Sequence, residues 1–172
     1  FIGGLNYDSD IAAYGGSVAD DNSGTLEYLS IRHTGRRGLN RIQLNGLTLG
    51  GVGSQTNINN IEILSPDDDG IEILGGNVNV NNILIFNPRG DAIDIDEAYA
   101  GTIKNAYLSM GADSDNVFEI DGTRDETGEI TGSYTIENVT AYQGYQNTVG
   151  SQYGHWRDGA TGLNKNIVYK GF

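Results

Sequence analysis

The feature that most constrains this chain is a repeat of about one winding. Four segments share a pattern: Asn45-Gly-Leu-Thr-Leu-Gly-Gly51, Asp69-Gly-Ile-Glu-Ile-Leu-Gly75, Asp91-Ala-Ile-Asp-Ile-Asp-Glu97 and Asn116-Val-Phe-Glu-Ile-Asp-Gly122. Each reads polar, small, apolar, polar, apolar, variable. The equivalent residues Leu47, Ile71, Ile93 and Phe118 lie 24, 22 and 25 residues apart. A second column runs through the same units as Ile58-Asn-Asn-Ile-Glu-Ile63, Val80-Asn-Asn-Ile-Leu-Ile85, Ile103-Lys-Asn-Ala-Tyr-Leu108 and Ile136-Glu-Asn-Val-Thr-Ala141. Leu26-Glu-Tyr-Leu-Ser-Ile31 reads as an earlier copy without the Asn, and residues 163–169 as a degraded later one. Apolar and polar residues alternate, which is strand periodicity. Gly, Asn and Asp separate the runs and supply turns. The repeat is too short for a propeller blade, and no copy follows a Leu-x-x-Leu-x-Leu frame. Stacked coils of short parallel strands remain: an all-β, right-handed parallel β-helix, or solenoid.

Asn60, Asn82, Asn105 and Asn138 then occupy one equivalent position. They are expected to form an Asn ladder, pairing amide to amide along the axis at an inward turn. Asn138-Val139-Thr140 matches an N-glycosylation acceptor, and burial in such a ladder argues against its use. Residues 1–172 are read as a single β-helix domain, a piece of a longer chain, with an irregular C-terminal cap over 145–172.

The formal net charge is −13, from 23 acidic and 10 basic residues. Phosphate would be repelled, which excludes nucleic acid as a partner. With no Cys, disulfides and thiolate metal sites are excluded. No apolar run is long enough for a membrane span.

Asp21-Asn-Ser-Gly-Thr-Leu-Glu-Tyr-Leu-Ser-Ile-Arg32, Leu44-Asn-Gly-Leu-Thr-Leu-Gly-Gly-Val-Gly-Ser54 and Ile73-Leu-Gly-Gly-Asn-Val-Asn79 carry a resemblance. The chain resembles the pectate-lyase-like superfamily of β-helices. Over residues 14–122 it is most similar to a family of Bacteroidota surface lipoproteins and secreted proteins. The resemblance implies an extracellular or outer-cell-surface bacterial protein with further N-terminal coils. It implies no particular reaction.

Alternate residues of a strand face opposite sides. The outward positions of the first column are Thr48, Glu72, Asp94 and Glu119. Two residues on they are Gly50, Leu74, Asp96 and Asp121, and the preceding corner holds Asn45, Asp69, Asp91 and Asn116. Asp94, Asp96, Glu119 and Asp121 are thus expected to form a two-by-two patch, about 4.8 Å apart up the stack and about 7 Å along a strand. Like charges about 5 Å apart repel by roughly 1 kcal/mol in water and about 3 kcal/mol at an effective dielectric near 20. Raised carboxylate pKa values, paired bases or a bound cation would relieve this. Calcium takes oxygen ligands and is the expected cation. Its candidate ligands are Glu72, Asp69, Asp91, Asp94, Asp96, Glu119 and Asp121. The competing reading is a solvated acidic face that keeps the protein soluble.

By the same resemblance, a lyase would use Arg89 or Arg124 as its base beside a calcium held by Asp94, Asp96 and Glu119. A hydrolase would pair two carboxylates, with Asp94 and Asp121 the candidates. Against both, bases are few and no Gly-His-Gly segment is present. Tyr153, His155 and Trp156 in the tail are candidate sugar-stacking residues, or else the cap over the end of the core. The sequence therefore predicts a surface or secreted binding or display module, calcium-stabilised, with a polysaccharide or other surface ligand. A polysaccharide lyase or glycoside hydrolase is one alternative, and a filament of chains packed end to end is another.

Overall fold

A computed structural model describes residues 13–37, 43–123, 132–145 and 152–172. The strands are β1 (Thr25–Arg32), β2 (Arg36–Arg37), β3 (Gln43–Leu44), β4 (Leu47–Gly50), β5 (Asn57–Leu64), β6 (Ile71–Leu74), β7 (Asn79–Phe86), β8 (Ile93–Asp96), β9 (Thr102–Met110), β10 (Phe118–Asp121), β11 (Tyr134–Gln143), β12 (His155–Arg157) and β13 (Gly162–Lys170). They form a six-stranded sheet in the order β1-β5-β7-β9-β11-β13 and a five-stranded sheet in the order β12-β10-β8-β6-β4. All pairings within these two sheets are parallel. Only the short β2–β3 pair is antiparallel among the described residues. Each coil contributes one strand to each sheet, which is a parallel β-helix.

The register is the one that the repeat predicts. Leu47 pairs with Ile71, Ile71 with Ile93 and Ile93 with Phe118. In the larger sheet Ile58 pairs with Val80 and Val80 with Ile103. These inward residues are buried from Ile58 through Ile136 and Ala141. Burying an Ile side chain contributes about 1.5–3 kcal/mol. A single coil has no facing layer above or below, so this gain exists only in the stack.

The long strands are bent rather than straight. Tyr28, Asn60, Asn82, Asn105, Asn138 and Asn166 have φ of 52°, 56°, 56°, 59°, 58° and 51°. The pairing skips this residue, so that Glu27 faces Asn59 and Leu29 faces Ile61. The left-handed residue turns the chain by one position. Ile58 and Ile61, three apart, therefore both face inward, while Ile61 and Ile63 keep the spacing of two. Asn accepts this conformation better than other side chains that carry a β-carbon, which accounts for the Asn column.

The ladder itself is present and longer than the repeat indicates. Asn82 Nδ2 donates to Asn59 Oδ1 at 2.8 Å, Asn105 Nδ2 to Asn82 Oδ1 at 3.0 Å, Asn138 Nδ2 to Asn105 Oδ1 at 3.1 Å and Asn166 Nδ2 to Asn138 Oδ1 at 2.9 Å. Asn59 rather than Asn60 accepts at the first rung. The ladder lies on the outer surface, not at an inward turn, because the bend that places Ile58 and Ile61 inside pushes the residue between them out. Burial therefore does not protect Asn138. Its amide is instead engaged at both ends.

The tail read as an irregular cap also differs. β13 pairs with β11 from Tyr134–Gly162 to Tyr142–Lys170, and β12 pairs with β10 through Glu119–His155, Ile120–Trp156 and Asp121–Arg157. The last described coil is thus a regular one. Asn105→Ala should lose both the rung and the tolerance for positive φ, costing about 2–3 kcal/mol and lowering Tm by roughly 5–10 °C. Asn105→Gly keeps the backbone conformation and should cost clearly less. Equal losses in thermal melts followed by circular dichroism would contradict this account of the column.

Candidate metal centre on the acidic wall

The outer face of the smaller sheet is built by stacking. Thr48, Glu72, Asp94, Glu119 and His155 form one column; two residues on, Gly50, Leu74 and Asp96 pair in register, as do Asp121 and Arg157. The structure divides the predicted carboxylates into three groups.

Asp69 and Asp91 belong to the corner before the strands and are buried, at 9% and 6% exposure. With Asn45 and Asn116 they make a second ladder, in which a side-chain oxygen accepts the backbone N–H one coil on. Asp69 N–H donates to Asn45 Oδ1 at 3.2 Å, Asp91 N–H to Asp69 Oδ1 at 2.7 Å and Asn116 N–H to Asp91 Oδ1 at 2.6 Å. These two acids are structural pins. Burial pushes the Asp69 carboxyl well above its usual range, with the Asp91 charge adding to it. Burial raises Asp91 to about 7, against the lowering effect of the Asn116 backbone N–H.

Glu119 and Asp121 are neutralised from the next coil. Arg157 donates through Nε to Asp121 Oδ1 and through Nη2 to Asp121 Oδ2, both at 2.7 Å, and it also pairs with Glu119. Asp121 is 3% exposed. Both of its oxygens are therefore occupied. The hydrogen bonds to Asp121 and the charges of Glu119 and Asp121 hold the Arg157 guanidinium firmly protonated, outweighing the cost of its partial burial.

Glu72, Asp94 and Asp96 form the third group. One oxygen from each lies within 4.8 Å of the other two. Glu72 Oε2 accepts from Asn45 Nδ2 at 2.8 Å, and burial followed by the Asp96 charge raises its pKa. Asp94 Oδ1 is buried and has no hydrogen-bond partner. Burial, then the charges of Asp69 and Asp96, push Asp94 up to about 10. An orphaned carboxylate oxygen inside a set of three acids fits a hard cation, whose ligands are oxygens. The full seven-residue ligand set is not brought together.

A groove of about 990 Å³ runs beside this wall, lined by Tyr14, Gly51, Gly75, Gly76, Asp96 and Glu97 among others. The Tyr14 ring lies over Gly50, where a β-carbon would come within 2.8 Å of its Cγ. Its hydroxyl hydrogen-bonds Glu97. Burial, that bond and the charges of Glu97, Glu72 and Asp96 keep the phenol protonated.

Other predicted residues lie elsewhere. Arg89 Nη1 sits 2.8 Å from Asp67 at the corner between β7 and β8. Arg124 lies outside the described residues, as does most of the polar stretch that follows it. Trp156 continues the inward Ile73–Ile95–Ile120 column, and its Nε1 donates to Tyr134 Oη at 2.9 Å. Tyr153 packs against Tyr169 and Phe172, with ring centroids 5.0 and 5.4 Å apart. His155 stands in the outward column above Glu119. The trio is thus part of the end of the stack, with Trp156 on its core side. Sequence reasoning missed two residues of the site. Arg157 carried a signal, since His155-Trp-Arg157 repeats the polar-apolar-polar register of β10. Tyr14 carried none.

The chain matches the family model described as pectate-lyase like beta helix domain over residues 4–172, and it belongs to that family. No curated protein and no solved structure matches it.

The raised acids set the pH dependence of stability. A carboxyl whose folded pKa exceeds its unfolded value near 3.8 stabilises the fold fully below about pH 4 and loses that contribution as pH rises through the folded pKa. Asp91 loses it up to about 7 and Asp94 up to about 10. In EDTA, Tm should therefore fall from about pH 5 to about pH 9, each pKa unit crossed costing roughly 1.4 kcal/mol at most, or about 2–4 °C per kcal/mol. Asp94→Asn should flatten the alkaline part of this decline. A Tm that is level or rising over that interval would show that the wall is not held by protons.

Proposed function

We propose that this pectate-lyase-like β-helix is an extracellular or cell-surface bacterial module for binding or display, whose acidic wall is completed by calcium bound to Glu72, Asp94 and Asp96. The observation that carries the reading is the orphaned, buried Asp94 Oδ1 within a set of carboxylates whose oxygens lie within 4.8 Å of one another. A carboxyl ligates as its ionised form, so calcium bound at Asp94 Oδ1 would displace the proton that burial otherwise keeps there. Sites in extracellular calcium modules bind in the range of about 10⁻⁴–10⁻³ M, which suits an assembled, partly exposed site outside the cell. The likeness of residues 14–122 to Bacteroidota surface proteins supports the same compartment.

The adjoining groove supplies room for a ligand, with Tyr14 as one wall and Asp96 and Glu97 on its acidic side. A polysaccharide whose oxygens complete the calcium shell suits this shape and chemistry. Binding is favoured over catalysis by the arginines and carboxylates themselves. Arg157 is tied to Glu119 and Asp121, and Arg89 to Asp67. Asp121 is 3% exposed and both of its oxygens accept from Arg157, which leaves it poorly placed as the partner of Asp94 in a hydrolase. A filament of chains packed end to end has no separate observation in its favour.

Calcium titration by calorimetry at neutral pH should give saturable binding. Its apparent enthalpy should depend on the buffer, because protons are released. At 100 times Kd, the ion should add about 2.7 kcal/mol of stability. Asp94→Asn should abolish the buffer dependence and weaken binding by at least roughly tenfold, the loss of one charged ligand. Absence of calcium heat, together with a Tm indifferent to EDTA, would remove the cation from the proposal.

A further inference from the structure

A second concave surface lies on the outer side of the six-stranded sheet. It is a trough of about 600 Å³ lined by Tyr28, Asn82, Leu84, Asn105, Tyr107 and Asn138, with Asn60 and Glu62 alongside. Tyr28 is 83% exposed, Leu84 45% and Tyr107 37%. Tyr107 stands over the outward neighbour of the next coil, Leu84, and its ring lies 6.0 Å from that of Phe86. Apolar rings and a row of amides therefore run side by side along the axis.

The amides are only half used. An Asn side chain offers two N–H groups and two carbonyl lone pairs. Asn82, Asn105 and Asn138 each give one N–H to the rung below and one lone pair to the rung above. Each exposed rung keeps one donor and one acceptor, repeated at the coil spacing of about 4.8 Å. Among the described lining residues Glu62 alone is charged, and it is paired with Arg32 at 3.0 Å. The trough is thus a neutral strip on a chain of net charge −13.

We propose that this trough binds a neutral, extended polysaccharide strand lying along the stack axis. Its sugar faces would rest on Tyr107 and Tyr28, and its hydroxyls would meet the unused amide groups of Asn82, Asn105 and Asn138. A hydroxyl both donates and accepts, matching the one donor and one acceptor left on each rung. An extended pyranose chain advances by close to one coil per sugar, so successive rungs meet successive residues. The C–H faces of the sugars cover the exposed tyrosine rings. A polyuronate gains no counter-charge here and is repelled by the acidic chain. The site uses no residue of the acidic wall and does not depend on the cation.

Affinity electrophoresis in EDTA against neutral glucan, mannan and xylan, with polygalacturonate as the acidic control, tests the proposal. At least one neutral polymer should retard the protein, and polygalacturonate should not. Tyr107→Ala and the more exposed Tyr28→Ala should each weaken retardation roughly tenfold, the contribution of one stacked ring, with thermal melts near those of the parent. Asp94→Asn should leave retardation unchanged, which separates this face from the cation site. Four results would overturn the proposal: no retardation by any neutral polymer, retardation indifferent to both tyrosine substitutions, equal retardation by polygalacturonate, or a concentration-dependent dimer lost in Tyr107→Ala, which would make a second copy of the chain the occupant.

Discussion

Each strand in the two main sheets hydrogen-bonds to the strand one coil away, so every side chain has as neighbours the residues at its own position above and below. This equivalence treats chemical types differently. Stacked Ile residues gain burial at every step. Stacked Asn amides gain a hydrogen bond per coil, since one group carries both a donor and an acceptor. Stacked carboxylates gain nothing from one another and repel. The acidic wall is where the geometry of the fold and the chemistry of its residues conflict.

Three local answers to that conflict are visible within four coils. Asp69 and Asp91 are buried at the corner, where they accept backbone N–H groups and burial makes them hold their protons more tightly. Glu119 and Asp121 receive Arg157 from the following coil. Glu72 and Asp94 respond by holding their protons more tightly, and Asp94 Oδ1 lacks even a hydrogen bond. The proposed cation belongs to this last group alone. The wall therefore meets its charge differently along the axis, with an arginine at one end and raised carboxyl pKa values in the middle.

The coil and its register were legible because alternation and the Asn column recur at nearly constant spacing, so Ile71, Ile93 and Phe118 could be aligned by eye. The side of the wall on which the ladder lies was not, because it depends on the positive φ of Asn82 and Asn105, a backbone property that residue type permits without dictating. The acids were found, but their division was not. Asp91 and Asp94 look alike in a list of carboxylates, and the Asn116 N–H bond to Asp91 and the unpartnered Asp94 Oδ1 appear only in three dimensions. Arg157 stood 36 residues after Asp121 rather than the usual 22–25, so its place in the column was hidden by the longer connection. Tyr14 lies before the first recognisable repeat and belongs to no pattern.

That longer connection has a consequence of its own. Asn82 and Asn105 are 23 residues apart and Asn105 and Asn138 are 33, yet both pairs form the same rung and the flanking strands keep the same pairing. The stack measures position by its strands, not by chain length, so extra residues between strands cause no frameshift in the core. Such a connection is a natural port for carrying foreign peptide sequence. An epitope or tag inserted there would leave the strand pairing on either side in register.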